Sequence, residues 1–184
     1  MKLNPKKTSL IVVDMQNDFA NKKGSLYVPS ASKVIPNIKK LIKKARESKI
    51  PIFYTQDWHR PDWIEFKKWP VHCVQGSWGA KIIEELEPKE DEYCIQKQTY
   101  DAFYGTFLER YLRELKVNTL LISGAVSNIC VLETAADAAR RGYYVVIPID
   151  AVVSLDEFGK KILIHQMESL YGAKITTTDK ILFK

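Results

Sequence analysis

The chain has 184 residues, 46% of them hydrophobic and 27% charged, with a formal net charge of +6. That length suits one domain burying about 70% of its unfolded surface, and no apolar run approaches the roughly 20 residues a membrane span needs. Three cysteines, at positions 73, 94 and 130, are odd in number and irregular in spacing, which excludes a disulfide framework.

The first expected strand covers residues 8–14 (TSLIVVD), whose nearly continuous apolar, β-branched character suits a strand buried on both faces. No apolar signal segment precedes it, so a cytoplasmic location with no membrane partner is expected. A polar loop, 15–30, leads to a helix over 30–48. On that helix Lys39, Lys40, Lys43 and Lys44 lie opposite the apolar stripe Val34, Ile38, Leu41 and Ala45. With no aromatic residues interleaved, the lysines read as a solvated face, and no nucleic-acid partner is expected. Lys49 falls where this helix stops, and a second strand covers 50–55 (IPIFYT).

Residues 56–78 form a long connection with Trp58, Trp63 and Trp69, closing on Trp78, and with His59 and His72. Connections this long without periodicity are usually functional or disordered, and four tryptophans with two histidines argue against disorder. Then come a helix over 78–87, a strand over 92–97, a helix over 104–116, a strand over 118–125 (NTLLISGA), a helix over 128–141, a strand over 143–148, a helix over 156–171 and a strand over 173–177. Gly142 and Gly172 sit just past two of these helices, where glycine is a usual terminator. The alternation predicts an α/β fold: a three-layer, doubly wound parallel sheet of six strands with helices on both faces and right-handed crossovers. Without repeats or linkers, residues 1–184 read as one domain.

Ligands of an open parallel sheet bind beyond the carboxyl ends of its strands. Asp14, Asp57, His59, Lys97 and Cys130 all fall at that edge. Cys130 follows the break at Gly124, where a helix is expected to open with Ser127 or Asn128 as its cap. In a first helical turn the helix dipole and free amides lower a thiol pKa below about 8.5 and can form an oxyanion hole. A free cysteine taken alone is more often simply buried. Asp14 ends an apolar strand, where a carboxylate needs a task or a partner. With Lys97 it reads either as a structural ion pair or as a base and a charge-stabilising group beside the thiol; the three together favour catalysis. Asp57-Trp58-His59 puts two ligand-type side chains on one face of an extended segment. With His72 they form the donor set of an open catalytic metal site. Glu65 offers a fourth donor or a solvated surface carboxylate. His165, in the last helix, is expected to pack.

The segments LIVVDMQNDF, GSLYVPSA, TQDWHRPD, WPVHCVQGSWGA, KQTYDAFYGT and ISGAVSNICVLETAADAARRGY resemble the cysteine hydrolase superfamily of nicotinamidases, N-carbamoylsarcosine amidohydrolases and isochorismatases. TQDWH and WPVHCVQGSWGA are most similar to nicotinamidases, which also act on pyrazinamide. The resemblance implies a six-stranded isochorismatase-like fold, a homo-oligomer (dimer or tetramer), a catalytic triad of Asp14, Lys97 and Cys130, and one divalent metal held by Asp57, His59 and His72 with Glu65 as a fourth ligand. Zinc suits these donors, as do iron and manganese. It further implies a cis peptide at Ala125–Val126 that aims the Val126 and Cys130 amides at the substrate oxygen, and a pocket walled by Phe19, Trp69 and Tyr104. The implied reaction is hydrolysis of nicotinamide to nicotinate and ammonia through a thioester, a step of NAD salvage. Many nicotinamidases have Thr-Asp where this chain has Ser127-Asn128, so an N-carbamoyl compound or another small amide stays open as substrate. A non-enzymatic binding or assembly protein on the same scaffold is the rival from another class.

Overall fold

The computed structural model describes residues 1–184. The chain runs β1 (Lys2–Leu3), β2 (Thr8–Val13), α1 (Asn17–Ala20), α2 (Ala31–Glu47), β3 (Ile52–Asp57), β4 (Tyr93–Lys97), α3 (Leu108–Glu114), β5 (Thr119–Gly124), α4 (Leu132–Arg140), β6 (Tyr144–Pro148), α5 (Glu157–Ser169), β7 (Lys174–Thr176) and β8 (Leu182–Phe183). As the alternation predicted, six strands form one all-parallel sheet; their order is β4-β3-β2-β5-β6-β7. β1 and β8 pair in a separate two-stranded parallel ladder that was not expected.

Both faces of the sheet are covered, because the central strands alternate apolar side chains in both directions. Leu10 and Val12 point into a core of 24 buried residues with α2, whereas Ile11 and Val13 point into one of 23 with α3, α4 and α5. The two cores are nearly equal, and this is the three-layer arrangement. On α2 the stripe Val34, Ile38, Leu41 and Ala45 is buried. Lys44 on its other side donates to the carbonyls of Thr178 and Ile181 at 2.9 and 3.0 Å, and Lys40 pairs with Asp179, pinning the chain's last turn. Lys49, Gly142 and Gly172 end their helices with positive φ. No helix is long and apolar enough to cross a membrane.

Two expected elements differ. Residues 78–87 hold only a single 3₁₀ turn, Glu84–Leu86. The segment before it turns at 78–81 and is zipped to the start of the 15–30 loop: the Asn17 N–H donates to the Lys81 carbonyl, the Ile83 N–H to the Met15 carbonyl, and Gln16 bridges Ile82. Backbone groups committed to that pairing are lost to a helix. The expected helix over 128–141 becomes regular only at Leu132. Residues Ser127–Val131 form a π-like turn in which Asn128 and Ile129 depart from helical geometry, and neither Ser127 nor Asn128 caps it. His165 is exposed, its Nδ1 only 3.4 Å from the Ser169 hydroxyl, so it does not pack.

Candidate active site

Strand register builds the floor of the site. β2 ends at Val13, and Asp14 turns out of the sheet with φ 46°. Its carboxylate accepts a hydrogen bond from the Thr55 hydroxyl at 2.6 Å. Asp57 and Lys97 close β3 and β4 directly opposite one another. The Lys97 ammonium, fully buried, therefore lies between two carboxylates, 2.7 Å from Asp14 Oδ2 and hydrogen-bonded to Asp57 Oδ1, and it donates to the Thr99 carbonyl at 2.9 Å. Cys130 completes the cluster: its sulfur and carboxylate oxygens of Asp14 and Asp57 all lie within 4.8 Å of one another.

Environment separates the two acids. Burial lifts Asp14 to about 6, with Lys97 pulling the other way and Asp57 adding to the rise. For Asp57 the opposing charges win: burial raises it, but Lys97 and then His59 bring it to about 2. Burial works against the Lys97 charge too, yet Asp14 and Asp57 hold it well above the ordinary lysine value. The expected lowering of the Cys130 pKa is overturned. Burial pushes the thiol well above its ordinary value, Lys97 opposes, and the negative Asp14 and Asp57 push further upward. The sulfur precedes the regular helix rather than occupying its first turn, so the dipole has little purchase, and the thiol needs a base. Asp14, within reach and near neutral, is placed as one.

The opposite wall comes from the long connection. Asp57, His59 and His72, all buried, present donor atoms within 4.8 Å of one another. His59 Nε2 lies 3.6 Å from Asp57 and 4.0 Å from Glu65. Both ring nitrogens of His59 are buried without a hydrogen-bond partner, a costly state for an imidazole unless a ligand completes it. The Nδ1 of His72 is 2.7 Å from the Pro70 carbonyl. That bond assigns the proton to Nδ1 and leaves Nε2 as the free donor, the usual second partner of a metal-binding histidine. These three donors fit a divalent cation; of them Glu65 approaches only His59, at 4.0 Å, and it is not part of the cluster.

Between floor and wall lies a small cavity, lined by Cys130, Asp57, Glu65 and His72 and by apolar side chains. Phe19, Trp69, Ala125 and Val126 line it as expected, and the Ala125–Val126 peptide is cis. The Val126 N–H has no partner within the chain. Tyr104 does not line it. Its ring is 70% exposed and borders a separate cleft with Trp58 and Trp63. Tyr100 takes the place expected of it, its hydroxyl accepting from Trp69 Nε1 at 3.1 Å. Sequence reasoning also missed Thr55, Gln16 and Asp18. Four polar residues in the run Asp14-Met15-Gln16-Asn17-Asp18, all of them buried, were the available signal.

The sequence matches the isochorismatase domain over residues 8–180. An isochorismatase family protein of Bacillus subtilis (YaaI) is 33% identical over 176 residues, covering 96% of this chain and 97% of that protein. Among solved structures, N-carbamoylsarcosine amidase from Thermoplasma acidophilum superposes with a TM-score of 0.87 at 36% identity, covering 95% and 98% of the two chains. Pyrazinamidase of Pyrococcus horikoshii in complex with zinc gives 0.87 at 35% identity, covering 93% and 99%. With a fold and a sequence that agree over nearly the whole chain, the protein belongs to the isochorismatase family of hydrolases.

Proposed function

We propose that the protein is a cysteine amidohydrolase that converts nicotinamide, and pyrazinamide, to the corresponding acid and ammonia. The observation that carries this reading is the sharing of one cavity by the Cys130 thiol, with Asp14 and Lys97 beside it, and by Asp57 and His72 of the Asp57–His59–His72 cluster. Asp14 takes the thiol proton, and the thiolate adds to the carboxamide carbon. The oxyanion accepts hydrogen bonds from the Val126 and Cys130 amides, while Lys97 offsets the negative charge gathered at the floor. Asp14 returns the proton to the amine as the C–N bond breaks, and ammonia leaves. Water, deprotonated by Asp14, then cleaves the thioester, releasing the acid and restoring the thiol. Asp57, His59 and His72, with Glu65 nearby, would hold a divalent cation, which would supply a Lewis-acidic anchor for a lone pair such as the pyridine nitrogen.

Similarity to the N-carbamoylsarcosine amidase is as strong as to the pyrazinamidase, so an N-carbamoyl substrate is the second reading. The walls favour the first. No lysine or arginine lines the cavity to pair with the carboxylate of an N-carbamoyl amino acid. A flat, uncharged ring amide meets Phe19, Trp69 and Tyr100 instead. The test is ammonia release from nicotinamide, pyrazinamide and N-carbamoylsarcosine by wild type and Cys130→Ala. The expected result is turnover of the two ring amides and a loss of about 10⁴-fold or more in the variant. Comparable turnover by the variant removes the cysteine mechanism, and a preference for N-carbamoylsarcosine replaces the substrate.

A further inference from the structure

The loop leaving β2 carries two buried polar side chains that the chemistry above does not use. Gln16 is fully buried. Its Oε1 accepts from the Asp57 N–H at 2.8 Å, and its Nε2 donates to the Asp57 carbonyl at 2.8 Å and to the Ala80 carbonyl at 2.9 Å. A carboxamide that bonds both backbone groups of one residue stands in for a neighbouring strand. Asp57 needs that substitute because β2 turns away at Asp14, while β4 continues beside Asp57 on the other side. A buried amide and carbonyl left unpaired there would each cost about 1–3 kcal/mol.

Two residues on, Asp18 does the same for the loop. Its Oδ2 accepts from the Cys73 N–H at 2.7 Å and its Oδ1 from the Ser25 N–H at 3.1 Å. The Cys73 N–H belongs to the peptide that joins it to His72, so this bond fixes the backbone from which the His72 ring projects. The fit is tight: a Cβ at Gly79 would come within 2.0 Å of the Asp18 carboxylate.

We propose that Gln16 and Asp18 are positioning residues of the cation site, Gln16 holding Asp57 and Asp18 holding His72. Neither touches the ion or the substrate. The two donors come from different segments, β3 and the long connection, and side chains of the 14–18 run bond the backbone of both. The inference rests on the reading of Asp57, His59 and His72 as a cation site and is independent of which amide is hydrolysed. Partners that orient ligands in this way typically account for about 10- to 100-fold in metal affinity.

The experiment is titration of the metal-stripped full chain with zinc and with cobalt(II), which reports affinity and, for cobalt, visible bands sensitive to ligand geometry. Gln16→Met keeps the side chain's length and removes all three bonds. Its zinc affinity is expected to fall about 10- to 100-fold with weakened, shifted cobalt bands. Asp18→Asn, which keeps one acceptor oxygen, is expected to lose less. Gln56→Met is the matched control. Gln56 also donates to the Ala80 carbonyl at 2.9 Å but does not grip Asp57, and its affinity is expected to stay within about twofold of wild type, well below that range. Should Gln16→Met fail to fold, Gln16→Glu retains the acceptor and loses both donated bonds, and the same fall is expected. Wild-type affinity and bands in the Gln16 variants overturn the proposal, as does a fall of equal size in Gln56→Met. A wild-type chain that binds neither metal overturns the cation-site reading and this inference together, whereas a metal-binding chain inert toward ring amides overturns only the substrate.

Discussion

The floor and the wall of the cavity are held in different ways. Asp14, Lys97 and Cys130 sit just beyond or at the ends of β2, β4 and β5, so the hydrogen-bond register of the sheet brings them together. The connection from Trp58 to Ile83 has no sheet beneath it. Side chains reaching across hold it: Gln16 and Gln56 on the Ala80 carbonyl, Asn17 on the Trp78 carbonyl, Asp18 on the Cys73 amide. A change at the floor should therefore cost global stability as well as chemistry, whereas a change in the wall should cost ligand geometry while the fold survives.

Lys97→Met puts the first half of this contrast to its hardest trial. It leaves Asp14 and Asp57 buried beside one another without their cation, and breaking a buried pair in this way costs about 3–5 kcal/mol. Urea unfolding is expected to show that loss along with near-complete loss of ammonia release; unchanged stability would mean that register and ion pairing are not coupled at the floor. Gly124→Ala tests the strand end that leads to Cys130. Gly124 has φ +111°, and a Cβ there would come within 2.1 Å of the Val13 carbonyl oxygen. The backbone of two central strands must give way, for an expected loss of about 3 kcal/mol.

The wall should respond more locally. Glu65→Gln is expected to weaken zinc binding about tenfold, equal to about 1.4 kcal/mol, and to leave the unfolding midpoint of the metal-free chain unchanged. A large shift of that midpoint would erase the distinction between the regions. The smallest effect is expected where the loop after β4 meets α4. Asp101 accepts from the Phe103 N–H at 2.9 Å, and the buried Thr134 hydroxyl accepts from the Ala102 N–H at 3.1 Å, which fixes the loop bearing Tyr100. Burial, opposed by the Phe103 N–H and assisted by the nearby Asp137, raises Asp101 to about 6. A carboxyl raised on folding binds its proton more tightly in the native state, so stability declines as pH climbs from about 4 to about 6 and then levels. Asp101→Asn keeps an acceptor for Phe103. It is expected to gain about 1 kcal/mol at pH 7.5, allowing for partial exposure, and nothing at pH 3.5; thermal melts at the two values read the difference.

Much of this was legible in the residues. Apolar periodicity located all six strands of the sheet to within about two residues, because strands buried on both faces leave nearly uninterrupted β-branched runs. Since parallel strands carry their ligands at one edge, the same pattern brought Asp14, Asp57, Lys97 and Cys130 to a common rim. Local pattern failed where long-range pairing took precedence over it. Residues 78–83 have the composition of a helix but spend their backbone groups on the 15–18 run.

The sequence by itself determined the strand order of events along the chain, the faces of α2 and the set of reactive residues, because each is written in spacing within a few neighbours. Only the tertiary structure decided that burial raises Asp14 while Lys97 brings Asp57 low, that Cys130 is raised rather than lowered, that Tyr100 rather than Tyr104 meets the cavity, and that Gln16 and Asp18 grip the metal-type cluster. Those outcomes depend on burial and on groups contributed by segments 31 or more residues apart, and no local pattern carries either.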